Sequence, residues 1–319
     1  MPLHRIGAGS CGSVWTERFV RPGSVVIKRE DGREDRSLKN DSDMHLRILL
    51  AYESGVSHQF AIPLWYGYIP AHNAKEVLGR FPWGYAARNI LLTERILPLS
   101  LPARRLLLNR YCPPALLCST VTNNHDCLVR PYLGSRRERV EDLIRPNFTL
   151  VNLPLYLDQM EELKMKIPVY SLRMARALAF MHWSARVDAE GVKFGLAAAR
   201  DPRSTIKSSI LDSHCIWMFD FDRCKPMTMD TVGIKQAAGA FWRNDPCYPR
   251  PGKNRRKDIN LWKDFKRSYL KESFHIIGSG DVQRCVLPGR LIRMIENMPP
   301  DRNGHSKSCC PFIPGRFLR

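Results

Sequence analysis

Ile6-Gly7-Ala8-Gly9-Ser10-Cys11-Gly12-Ser13-Val14-Trp15 stands near the start of the chain, and Val25-Val26-Ile27-Lys28 follows it. Glycine has no Cβ, so three glycines at this spacing let backbone amides come close to an anion such as a phosphate. Ile6 on one side and Val14-Trp15 on the other suit strands, giving strand, glycine turn, strand. A dinucleotide fingerprint would need a helix after the third glycine. Here Val25-Val26-Ile27 favour another strand instead. Lys28 sits in that apolar strand, where its ammonium is a point donor suited to phosphate charge. Gly7, Gly9, Gly12, Val14 and Lys28 are therefore candidate cofactor-binding residues.

A second stretch completes the pattern. Trp217-Met218-Phe219-Asp220-Phe221-Asp222 reads as an apolar strand that ends on an aspartate. Asp220 and Asp222 are candidate metal ligands. A glycine loop over phosphates, a lysine on the third strand and a strand-end aspartate for magnesium are the parts of a protein-kinase cleft. The fold expected is α+β and two-lobed, of protein-kinase-like type. Residues 1–97 would form a β-rich N-lobe. Residues 98–319 would form a mostly helical C-lobe with a loose tail from about residue 299. ATP and magnesium are the cofactors such a cleft implies.

The catalytic loop departs from that pattern. Met181-His182-Trp183-Ser184-Ala185-Arg186-Val187-Asp188 leaves a helix as a kinase catalytic loop does, and Asp188 is the candidate base. Five residues later, where kinases carry a metal-binding asparagine, stands Lys193. A protonated lysine cannot ligate magnesium; it can hold a phosphate or stand in for the metal's charge. The helix expected around Met44 to Ala51 places His45 where a glutamate would pair with Lys28. Asp222 stands where a kinase has glycine, which is closer to the aspartate-rich phrase of small-molecule kinases.

Between these motifs, Phe60 to Tyr68 reads as a strand made irregular by Pro63. Asn89 to Ile96 reads as another strand, running into a proline-punctuated hinge at Leu97 to Pro102. Glu94, at the end of that strand, is the remaining cofactor-binding candidate, because backbone groups of this segment could face an adenine edge. Helices are expected over 103–111, 155–166, 169–183, 259–269 and 287–298, and strands over 127–133 and 216–221. Asn244 to Pro251 is stiffened by its prolines, and reads as a clamp near the cleft or as a loop holding the following helix.

Hydrophobic residues make up 44% and charged residues 25% of the 319, ordinary values for a globular protein. No apolar run reaches spanning length, and the stretch from Ile90 to Leu108 is broken by Glu94, Arg95, Arg104 and Arg105. The first twenty residues hold no apolar leader segment. The expectation is an intracellular protein, cytoplasmic or nuclear, with no membrane partner. A net charge of +19 attracts polyanions, so nucleic acid enters as a partner from charge alone. No recognisable nucleic-acid module accompanies it. Ten cysteines include no Cys-x-x-Cys pair, and this spacing argues against zinc. The nearest approximations are Cys112, Cys118, His125 and Cys127, or His214, Cys215 and Cys224.

The chain resembles a fungal family of uncharacterised kinase-like proteins whose members are often labelled zinc finger proteins. The phrases that carry the resemblance are the glycine loop, His182 to Ala189, Trp217 to Asp222, Asn244 to Pro251, and Cys127 to Gly134. It implies a protein-kinase-like or aminoglycoside-phosphotransferase-like fold and brings no established activity. Members of that family look like an acid followed by Phe-Val-Leu-Gly where this chain has Lys193-Phe194-Gly195-Leu196. Three functions stay open at this point. One is a degenerate kinase-like protein that binds nucleotide weakly or not at all and acts through protein partners. Another is an active phosphotransferase using Asp188 with Asp220 and Asp222. The third is a basic nucleic-acid-associated protein.

Overall fold

The computed structural model describes residues 2–9, 11–18, 21–31, 38–54, 59–116, 126–137, 148–278 and 280–298. Ser10 of the glycine loop, Cys118, His125 and the tail from 299 lie outside them. Among the described residues, the chain is a mixed α+β protein with two five-stranded sheets and several helices.

The first sheet holds β1 (His4–Gly9), β2 (Gly12–Thr16), β3 (Val25–Glu30), β4 (Trp65–Ile69) and β5 (Ile90–Glu94). Its order is β1-β2-β3-β5-β4, all antiparallel. Trp15 anchors its small core edge-on to Phe81 and Tyr85, with ring centroids 5.3 and 5.1 Å away. Pro63 precedes β4, so the irregular start expected there is present.

Helix α1 (Leu38–Glu53) joins β3 to β4. Its buried residues, Leu38, Asp41, Ser42, Met44, His45, Ile48 and Leu49, fall on one stripe of a 3.6-residue repeat. The stripe changes character along its length. Met44, Ile48 and Leu49 enter the large hydrophobic core of the molecule, while Asp41 lies one turn nearer β3.

The second sheet holds β6 (Val129–Tyr132), β7 (Leu153–Tyr156), β8 (Lys193–Ala198), β9 (Ile206–Ser208) and β10 (Asp212–Phe219), in the order β7-β6-β8-β10-β9. Strands β6 and β7 run parallel; the other pairs are antiparallel. Around it lie α2 (Leu101–Tyr111), α3 (Leu157–Glu162), α4 (Ile167–Ala179), α5 (Thr231–Arg243), α6 (Arg256–Ile277) and α7 (Leu287–Asn297). α4 continues as a π turn over Phe180–Ser184.

The helix expected over 155–166 is corrected. Its first residues belong to β7, where Leu153 and Leu155 turn inward in a period of two, and only Leu157–Glu162 is helical. α5 was not expected, because Gly233 and Gly239 weaken its helical signal.

One short segment ties the two sheets together. Ala61 donates its amide to Ile216 O and accepts from the Met218 amide, both at 2.8 Å. The chain entering β4 is thus zipped in parallel onto β10. Among the described residues, no helix is long and apolar enough to cross a membrane.

Candidate functional site

Lys28 lies at the centre of β3, opposite Val14 on β2 and Leu91 on β5. Its ammonium reaches two carboxylates, Asp41 Oδ2 at 2.5 Å and Asp220 Oδ1 at 2.6 Å. The second oxygen of Asp220 is taken by Lys193 Nζ at 2.6 Å. The β8–β10 register explains that third contact: Phe219 on β10 pairs with Lys193 on β8, so Lys193 stands beside the residue that precedes Asp220. Asp220 itself has a left-handed backbone, φ 68°, which turns the strand end toward both lysines. Its side chain is 8% exposed.

The charges in this group hold one another. Burial alone would raise the Asp220 carboxyl, but Lys193 and Lys28 overcome it and hold the group well below the usual carboxylate range. Burial alone would lower Lys28, and Asp220 and Asp41 instead hold its ammonium well above the ordinary value. Asp41 does a second task, since its Oδ1 accepts the Phe221 amide at 3.0 Å. One side chain of α1 therefore fixes both the lysine and the backbone just after Asp220.

The glycine turn lies over this group. A Cβ on Gly9 would stand 3.6 Å from Lys28 Cε. A Cβ on Gly12 would come within 1.9 Å of the Arg29 carbonyl oxygen, and its φ of +154° also requires glycine. Gly7 faces Val14 across the strand pair, with a built Cβ 3.8 Å from the valine Cβ. Buried Cys11, at the tip of the turn, donates its thiol to Asp222 Oδ2 at 3.1 Å. Burial and the neighbouring Asp222 carboxylate push that thiol up. Gly7–Gly9, Cys11–Val14, Lys28 and residues 220–222 therefore do meet in one place.

Two expected residues sit elsewhere. Glu94 accepts the Leu64 amide and the Arg200 guanidinium, both at 3.0 Å, and its own amide donates to Leu64 O. It ties β5 to the entry of β4 and does not join the ion group. His45, expected opposite Lys28, lies one turn beyond Asp41. Its Nε2 donates to Pro63 O at 2.7 Å, and its ring packs edge-on to Phe221. Burial lowers its pKa and favours the neutral ring. The helix carboxylate that partners Lys28 is Asp41.

Asp188 is 1% exposed. Its Oδ1 accepts the amides of Glu190 at 3.1 Å and Lys225 at 2.9 Å, and its Oδ2 accepts Gln236 Nε2 at 2.8 Å. Burial raises its pKa, and these three bonds partly offset that rise. The loop around it is held from outside. Asn244 accepts the Gly191 amide at 2.7 Å and donates to Ala189 O at 2.8 Å. Next to it, Asp245 pairs with Arg130 at 3.0 Å, and Arg130 donates to Phe194 O at 2.9 Å. The Asn244–Asp245 phrase thus clamps the segment that carries both Asp188 and Lys193.

Magnesium takes near-octahedral oxygen ligands and dehydrates reluctantly. Asp220 offers it an oxygen already bonded to Lys193 and another bonded to Lys28. At about 4 Å a doubly charged ion and an ammonium repel by about 8 kcal/mol at an effective dielectric of 20. The residues present do not fit a divalent ion on Asp220. Among the described residues, no group of three or more His, Cys, Asp or Glu side chains is placed to hold a metal ion.

The basic charge has partners in one further cavity. About 320 Å³ lies between Arg136, Arg137, Arg250, Lys253 and Asp258. Arg136 pairs there with Glu161 and Asp258, and Arg137 with Asp158 and Glu162.

Residues 216–281 match a domain family described as "Zinc finger protein". The matched stretch holds Asp220, Asp222, α5 and the Asn244–Pro251 phrase. No curated protein matches the chain. Among solved structures, it is similar to the kinase domain of maize sucrose-induced receptor kinase 1 bound to AMP-PNP. The two share 12% identity over 85% of this chain and 68% of that one, with a TM-score of 0.28.

Proposed function

We propose that this chain is a two-lobed, kinase-like protein, divided near residue 97, whose nucleotide cleft is catalytically degenerate and which acts through a protein partner. The observation that carries this reading is Lys28 of β3 meeting Asp41 of the following helix and Asp220 at a strand end, beneath a glycine turn. A lysine on the third strand, an acid on the next helix and a strand-end aspartate are the parts a kinase brings together around phosphate. The sheet order β1-β2-β3-β5-β4, with its helix between β3 and β4, supports the same reading. ATP is the ligand this cleft would take, with Lys28 and the turn amides facing its phosphates.

Two features favour a degenerate cleft over an active phosphotransferase. The three acceptor contacts of Asp188 leave little of its carboxylate for a substrate hydroxyl. Lys193 occupies the place of a metal-binding asparagine.

Thermal unfolding with and without millimolar ATP tests the proposal. A nucleotide at ten times its Kd adds about 1.4 kcal/mol, or about 2 °C for a chain this long. The expected result is a small rise of that order, abolished in Lys28→Met, with no γ-phosphate turnover. An unchanged melting temperature removes nucleotide from the proposal. Steady ATP consumption that depends on Asp188 would replace degeneracy with catalysis.

A further inference from the structure

We propose that the Lys193 ammonium is a built-in replacement for the divalent cation of this cleft, so that the wild-type protein excludes magnesium from Asp220. The inference rests on the kinase-like reading of the cleft and specifies its cation.

The geometry is specific to one oxygen. Lys28 holds Asp220 Oδ1 and Asp41, as a cleft lysine between two acids would. Lys193 holds the other oxygen, Oδ2, at 2.6 Å. Lys28 contacts Oδ1, and Lys193 neutralises the charge on Oδ2. The lysine arrives there by a fixed route, because the β8–β10 register sets Lys193 against Phe219 and Arg130 ties β6 to the Phe194 carbonyl next to it. Its side chain is 27% exposed, so the ammonium lies at the open side of Asp220. A neutral side chain at this position would leave Oδ2 facing outward with an unspent negative charge. The Lys193 ammonium cancels that charge.

A cation supplied by the chain differs from one supplied by solvent. It cannot be removed by a chelator, and it cannot add water-bound ligands or a second coordination position. Nucleotide bound here would therefore be insensitive to magnesium, held by Lys28 and Lys193 together. A single change should reopen the site: Lys193→Asn removes the ammonium and returns a neutral oxygen ligand beside Asp220.

Manganese serves as the probe, because its free ion is counted directly by electron paramagnetic resonance. The full chain is titrated in the absence of nucleotide. The expected result is that wild type and Lys193→Arg leave the manganese signal unchanged. Lys193→Asn should bind manganese at least about tenfold more tightly than wild type, and Lys193→Asn combined with Asp220→Asn should lose it again. Equal manganese affinity in wild type and Lys193→Asn overturns the inference, as does gain of binding in Lys193→Arg. If Lys193→Asn does not fold, the decision passes to wild type and Asp220→Asn. Manganese bound by wild type and lost in Asp220→Asn overturns the inference; no manganese on either, with binding gained in Lys193→Gln, supports it. Because nucleotide is absent, a missing ATP shift counts against the cleft's ligand alone, and manganese on the wild-type protein counts against Lys193 alone.

Discussion

Asp220 and Asp188 are both buried aspartates at strand or loop ends, and they are held in opposite ways. Asp220 is held by charge: Lys28 and Lys193 each take one oxygen, and these partners come from β3 and β8, in different sheets. Asp188 is held by neutral donors, two backbone amides and one side-chain amide, all within the second half of the chain. A carboxylate gripped by ammonium groups is neutralised by charges that separate strands bring to it. A carboxylate gripped by amides can release them only by moving the loop that carries them. The first arrangement draws its partners from two sheets and the second orders one stretch of the chain.

Removing the charged carboxylate should do the most damage. Asp220→Ala leaves two buried or half-buried ammonium groups without their acceptor, and breaking a buried ion pair from one side costs about 3–5 kcal/mol. Adding Lys193→Met to Asp220→Ala should return part of that loss, since one uncompensated charge is removed. Urea unfolding of the single and double variants measures both steps. A loss under about 1 kcal/mol would show that the group behaves as a solvated surface pair, and the contrast with Asp188 would disappear.

Asp188→Asn should cost less, about 1–2 kcal/mol. The amide carbonyl keeps the two backbone amides that Oδ1 accepted, but its NH2 faces the Gln236 amide where Asp188 presented a second oxygen. The same unfolding series decides this. A cost as large as that of Asp220→Ala would mean that the Asp188 cage carries more than local order.

Parts of this arrangement were legible in the sequence, and the parts that were not share a physical cause. The glycine turn, Lys28 and Asp220 announce themselves locally, through missing Cβ atoms and through apolar strands that end on a charge. Asp41 did not. The first turn of α1, Leu38 to Asp41, is mostly polar, so the apolar period begins only at Met44 and the sequence signal for the helix starts there. Its actual start is set by a tertiary contact, the Leu38 amide donating to Glu30 Oε1 at 3.1 Å. That earlier start puts an acid beside Lys28 and moves His45 one turn on. Lys193 was legible as an anomaly, but its partner was not. Only the pairing register of β8 with β10 brings it to Asp220, and register depends on which faces are buried. Asn244 is similar: the stiff phrase around it stands out, but its grip on Gly191 and Ala189 spans more than fifty residues.

The smallest predicted effect separates the two aspartates by sign. The ordinary Asp value is 3.8, and Asp188 is raised above it while Asp220 is depressed well below it. For Asp188 the native state binds the proton more tightly than the unfolded chain, so its contribution to stability falls as pH rises through the raised value. For Asp220 the unfolded chain binds the proton more tightly. Its contribution is complete above 3.8 and is lost as pH falls below it toward the native value. Asparagine titrates in neither place. The deficit of Asp188→Asn should therefore be larger at about pH 3.5 than at about pH 7, and the deficit of Asp220→Asn should be smaller. Urea midpoints of the three proteins at both pH values measure the two differences. Deficits that move in the same direction would mean that both carboxylates feel one kind of environment. The distinction between a charge-held cleft and an amide-held loop would then have no basis.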